Sequence, residues 1–108
     1  MADEARVLDA LGDPTRRAVL ELLRGGEQSV RELTDATEVS QPAVSQHLRV
    51  LRDSGFATVR VDGPRRMYAV ASAPLQQVDA WLDRFRALWE PRLDALATEV
   101  ARGKRERR

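Results

Sequence analysis

Residues 40–54 read Ser-Gln-Pro-Ala-Val-Ser-Gln-His-Leu-Arg-Val-Leu-Arg-Asp-Ser, and the spacing within this stretch decides the fold. Wound at about 100° per residue, the segment sets Val44, Leu48 and Leu51 on one stripe. Pro42, Gln46, Arg49 and Asp53 fall on the opposite stripe, with Ser45 on a flank. The pattern predicts a helix that buries one half and turns amides, hydroxyls and an arginine outward. Those groups can pair with base edges and phosphates in a major groove.

Upstream, Ser40 is placed to cap this helix, and Gly55 to stop it in a left-handed conformation. Ser29 followed by Glu32 forms a capping box, which opens a two-turn helix carrying Val30, Leu33 and Ala36 inward. The break at Glu38-Val39-Ser40 separates the two, so the pair reads as a helix-turn-helix whose second member is the reader. Further upstream, Asp13 is an N-cap with Pro14 at the first helical position, and Ala18, Val19, Leu22 and Leu23 point inward until Gly25-Gly26 ends the helix. Ala5 to Leu11 is a first short helix with Val7, Leu8 and Leu11 on its inner face, closed by Gly12.

Downstream, Phe56 to Val61 and Arg66 to Val70 are β-rich runs joined by the turn cluster Asp62-Gly63-Pro64-Arg65. A hairpin with a basic tip beside a reader helix is a wing; the plainer alternative is an edge hairpin with solvated arginines. Pro74 opens the longest helical pattern, with Val78, Leu82, Phe85, Trp89, Leu93, Leu96 and Val100 on one stripe, widened by Trp81 and Leu88. That stripe exceeds what one small core needs, so part of it is expected to pack on a second copy. Pro91 should kink or split this helix near Glu90.

Composition narrows the function classes. The 108 residues make one small domain with a thin core, which favours a partner subunit. With 18 basic and 17 acidic residues, nucleic-acid binding must come from local clusters such as Arg49, Arg52, Arg60, Arg65 and Arg66. The basic end, Arg102 to Arg108, reads as a solvated tail. Without cysteine there is no disulfide, thiolate metal site or redox switch. The acidic opening and the lack of a long apolar run point to a cytoplasmic protein with no membrane partner.

Leu11-Gly-Asp-Pro-Thr-Arg-Arg17, Ser40-Gln-Pro-Ala-Val-Ser-Gln-His-Leu-Arg-Val-Leu51 and Ser54-Gly-Phe56 together resemble the ArsR-type winged helix-turn-helix repressors of bacteria, over roughly residues 5–72. The fold expected is all-α with a small β-hairpin wing and helical dimerisation ends. It divides into a first helix (1–12), a winged helix-turn-helix core (13–73), a C-terminal dimerisation helix (74–101) and a basic tail (102–108). The resemblance implies a homodimer that represses transcription by binding double-stranded DNA at a two-fold symmetric operator. Carried over by position, Ser40, Gln41, Ser45, Gln46, His47 and Arg49 become the DNA-facing residues, with Arg65, Arg66 and more weakly Arg60 in the wing. The dimer contacts implied are Val7, Leu8, Leu11, Val78, Trp81, Leu82, Phe85 and Trp89.

The chain departs from the metal-sensing members of that family. The helix before the reader carries Glu32-Leu-Thr-Asp-Ala-Thr37, with no thiolate or imidazole, and on the last helix only Asp79, Asp83, Glu90 and Asp94 offer ligands. Carboxylates alone make weak, unselective transition-metal sites, so no metal or other cofactor is expected and the effector is left unidentified. His47 is either a DNA contact or a filler at the helix edge. It lies about 200° around the helix from Ser45, which excludes a nucleophile and base pair. No catalytic site is expected. The alternative function is a winged-helix adaptor that uses its C-terminal aromatic helix to bind another protein.

Overall fold

A computed structural model describes residues 4–90. Its elements are α1 (Glu4–Ala10), α2 (Pro14–Leu23), β1 (Gln28–Ser29), α3 (Val30–Thr37), α4 (Gln41–Asp53), β2 (Ala57–Asp62), β3 (Arg65–Val70), α5 (Ala73–Asp83) and α6 (Arg86–Trp89). They fall into two compact units divided after Val78. Pro91, the apolar positions Leu93, Leu96 and Val100, Asp94 and the basic tail lie outside the described residues.

Local chemistry sets the helix ends of the first unit. Asp13 is extended, and its carboxylate accepts from the Arg16 backbone N–H at 2.9 Å, with Pro14 just inside the helix. Arg16 and Arg17 reach back to the end of α1: Arg16 Nε donates to the Ala10 carbonyl at 2.6 Å and Arg17 Nη1 to the Leu11 carbonyl at 2.7 Å. The Leu-Gly-Asp-Pro-Thr-Arg-Arg segment is thus a corner in which α2 satisfies carbonyls that α1 leaves without partners. The capping box at α3 is complete: Ser29 Oγ accepts from the Glu32 N–H and Glu32 Oε1 from the Ser29 N–H, both at 3.2 Å.

Helix α4 ends in a Schellman motif. The Phe56 N–H reaches the Leu51 carbonyl at 2.8 Å and the Gly55 N–H the Arg52 carbonyl at 3.0 Å. Gly55 has φ 85°, and a Cβ there would stand 3.2 Å from Cγ of Pro74. The stop therefore turns the chain toward the wing and holds it close to the start of α5.

The core gathers Val7, Val19, Leu23, Leu33, Val44, Leu48, Leu51 and Phe56, all essentially inaccessible to solvent. Val78 packs at its margin. Ala18 and Ala36, expected inward, are exposed because their neighbours Val19, Leu22, Leu23 and Leu33 already fill the core side of α2 and α3. Val7, expected at the dimer contact, is buried in the core of its own chain.

The expected hairpin wing is formed by β2 and β3, and β1 adds a third strand to give an antiparallel sheet of order β1-β3-β2. β1 pairs Gln28 with Tyr68 and Ser29 with Met67, while β2 and β3 pair from Ala57 with Val70 to Asp62 with Arg65. The strand before α3 is too short to show alternation and is made by pairing with a segment about forty residues away.

The last helical pattern breaks at Arg84-Phe85, between α5 and α6; the kink or split expected from Pro91 lies outside the described residues. There the N–H groups of Arg84 and Phe85 bond the carbonyls of Trp81 and Leu82, a tighter i to i−3 pattern. The Trp81 and Phe85 rings pack with centroids 5.0 Å apart. Across the break, the Arg86 guanidinium pairs with Asp79, Asp83 and Glu90. Three of the four carboxylates considered as metal ligands are thereby engaged by an arginine.

Candidate nucleic-acid interface

Helix α4 is built as its sequence pattern requires. Ser40 is extended and its hydroxyl accepts from the Ala43 N–H at 3.3 Å. The turn before it is made by Glu38, which adopts the left-handed conformation at φ 58° and ends α3. Val44, Leu48 and Leu51 are fully enclosed. Their burial, roughly 1.5–3 kcal/mol for each side chain, fixes the rotation of the helix about its axis. That rotation leaves Gln41, Pro42, Ser45, Gln46, Arg49 and Arg52 exposed on the outer face. Arg49 and Arg52 make no ion pair with any described residue.

His47 stands at the helix edge and is half-buried. Its Nδ1 is enclosed and has no hydrogen-bond partner, so that nitrogen is not presented to a ligand outside. At the α2 cap, the hydrogen bond from the Arg16 N–H holds the Asp13 carboxyl below its ordinary range.

The wing arginines differ from one another. Arg60 donates from Nε and Nη2 to the two carboxylate oxygens of Glu27 at 3.0 and 2.8 Å. This two-pronged bond holds the Glu27 carboxyl below its ordinary range and raises Arg60. Arg65 shares its charge with Asp62 at 3.3 Å across the turn. Arg66 is exposed and makes no ion pair among the described residues. Val61 at the wing end is 72% exposed, an apolar side chain beside these cations.

Sequence reasoning missed Glu27 as the partner of Arg60 and missed Arg31, which borders the same open cleft as Gln41, Arg65 and Arg66. Neither carries a local signal, because each meets its neighbours only once β1 is paired to β3. In the second unit, Phe85, Leu88 and Trp89 are 37%, 78% and 49% exposed, while Trp81 and Leu82 are half-buried. Among the described residues no three histidine, cysteine or acidic side chains gather to hold a metal ion. No helix among them is long and apolar enough to cross a membrane.

The geometry agrees with what the chain is similar to. A family model described as a bacterial regulatory protein, arsR family, matches residues 13–59, from the α2 cap to the middle of β2. The HTH-type transcriptional regulator Rv2034 of Mycobacterium tuberculosis is 44% identical over 80 residues, covering 74% of this chain and 75% of that protein. The transcriptional repressor SdpR of Bacillus subtilis is 30% identical over 79 residues, covering 73% and 88%. Among solved structures, the homodimeric winged helix-turn-helix DNA-binding domain of Mb0332 from Mycobacterium bovis, a possible ArsR-family transcriptional regulator, superposes with a TM-score of 0.63. Its sequence is 30% identical, and the match covers 73% of each chain.

Proposed function

The chain belongs to the arsR family of bacterial regulatory proteins, and we propose that it is a homodimeric, sequence-specific repressor that binds a two-fold symmetric operator and does no chemistry. The observation that carries this reading is the rotation of α4, which commits every large apolar side chain inward and leaves a face of amides, hydroxyls and unpaired arginines outward. Such a face meets base edges in the major groove, while the wing meets backbone. Ser40, Gln41, Ser45, Gln46 and Arg49 form the reading face, and Arg65 and Arg66 the wing contact. His47 acts chiefly as a filler at the helix edge, in keeping with its enclosed Nδ1.

The homodimer is supported by the homodimeric relative in Mycobacterium bovis and by the apolar side chains left open on α6. We assign contacts in the second unit to Trp81, Leu82, Phe85 and Trp89, with Leu88 added, and contacts in the first unit to Val78, Leu8 on α1 and Leu11 just beyond it. Two copies present two reader helices, which makes the operator symmetric, and occupancy of a promoter in the cytoplasm blocks initiation. Selection of bound sequences from random DNA tests the whole reading. The expected result is an inverted repeat with half-sites about one helical turn apart. A selection that enriches no sequence, or a single unpaired half-site, overturns it in favour of a protein adaptor or a monomeric binder.

A further inference from the structure

An open cleft of about 620 Å³ lies between the start of α3, the start of α4 and the wing. Its walls include Arg31, Glu32 and Asp35 from α3, Gln41 from the first turn of α4, and Arg65 and Arg66 from the wing. The register explains the meeting. Because Ser29 pairs with Met67, the chain leaving β1 enters α3 beside the strand position of Arg66. Arg31 and Arg66, 35 positions apart in the sequence, thus border one space.

Of the three arginines around this cleft, Arg65 is partly neutralised by Asp62, whereas Arg31 and Arg66 make no ion pair with any described residue. The capping box occupies two amides at the start of α3, the Ser29 and Glu32 N–H groups, so part of that helix terminus is already engaged within the fold. The two guanidiniums without ion pairs are the full charges in the cleft left open to an anion, and their planar, forked donors suit phosphate oxygens. Gln41 belongs to the reader, so an anion held there sits at the edge of the groove that α4 enters.

We infer that Arg31 and Arg66 jointly clamp one phosphate of the DNA backbone in this cleft, an inference that rests on the DNA-binding reading above. The wing is then anchored at the base of β3 rather than through Arg60, and α3 takes part in binding directly. Asp35 and Glu32, on the same wall, oppose the phosphate charge and limit how tightly any sequence is held; Glu32 is also tied into the capping box.

The test is titration of the full chain with its selected operator and with a random duplex over a series of salt concentrations, read by fluorescence anisotropy. Arg31→Ala and Arg66→Ala are each expected to lower the slope of log K against log salt by about 0.9 per protomer bound. Both should weaken operator and random duplex alike, leaving base preference unchanged. Arg31→Lys should keep most of the slope, and Asp35→Asn should tighten both duplexes several-fold. An unchanged slope in Arg31→Ala, with folding verified by circular dichroism and operator binding intact, overturns the clamp and leaves the repressor reading standing. A parent protein that binds neither duplex overturns both.

Discussion

Glu27 and Arg60 meet across 33 residues of chain in a two-pronged ion pair, with donor to acceptor distances of 3.0 and 2.8 Å. An arginine that sequence alone places among the DNA-binding cations is thereby committed to its own fold. Arg60→Ala is therefore expected to change the salt slope of DNA binding by less than half the effect of Arg66→Ala, whereas Glu27→Gln, which releases Arg60, should raise affinity for any duplex. Anisotropy titrations at several salt concentrations check both; an Arg60→Ala slope change equal to that of Arg66→Ala would place Arg60 on the backbone.

Gln46 is exposed at the centre of the outer face of α4 and can form a bidentate pair with an adenine. Gln46→Ala should lose about 1–3 kcal/mol of discrimination at one base position in each half-site, with little effect on binding to random DNA. A competition series over single-base operator variants measures this. Uniform weakening across all variants would instead make Gln46 a backbone contact.

Ser29 joins the wing sheet to α3, serving at once as the last residue of β1 and as the helix cap. Ser29→Ala removes the hydroxyl that accepts from the Glu32 N–H and should destabilise the protein by about 0.5–2 kcal/mol in urea unfolding. An unchanged midpoint would mean that the pairing of β1 alone holds the start of α3.

Gly55 combines a positive φ with close approach to Pro74. Gly55→Ala should cost roughly 1–2 kcal/mol from the left-handed conformation alone, with the Pro74 contact adding to it. Thermal unfolding of this variant beside Gly63→Ala separates the two: Gly63 shares the positive φ, but a Cβ there meets nothing within 4 Å. Equal losses at both glycines would show that the Pro74 contact costs nothing.

Asp13 and Glu27 both have carboxyls lowered below their ordinary range, Asp13 chiefly by the Arg16 N–H and Glu27 chiefly by Arg60. A depressed carboxyl stabilises the fold above its unfolded pKa, and that contribution is lost as pH falls through the lower folded value. Stability should therefore decline on acidification below about pH 4. Asp13→Asn keeps a capping side chain without the charge, so its deficit against the parent should be present at pH 6 and shrink toward pH 2. A deficit independent of pH would assign the effect to geometry instead.

Residues 40–55 were legible because everything they need is local. The Ser40 cap, the apolar spacing from Val44 to Leu51 and the Gly55 stop act within a few residues, and the structure reproduces them. The Ser29 and Glu32 box and the Asp13 and Pro14 start are legible for the same reason. The break at Arg84-Phe85 was not, because the stripe from Val78 to Trp89 is compatible with one continuous helix. There the packing of Trp81 on Phe85 and the gathering of Asp79, Asp83 and Glu90 on Arg86 accompany a tighter turn.

Capping bonds and helical periodicity are properties of neighbouring residues, so α1 to α4 and the outward face of α4 could be read from the sequence, whereas the division of the last pattern into α5 and α6 could not. Tertiary structure alone decided which cations remain free on that outward side. Pairing of Gln28-Ser29 with Met67-Tyr68 brings α3 to the base of the wing and places Arg31 by Arg66, while Glu27, just before β1, engages Arg60 on β2. Charge availability depends on partners distant in the chain, and only the closed sheet brings those partners within reach.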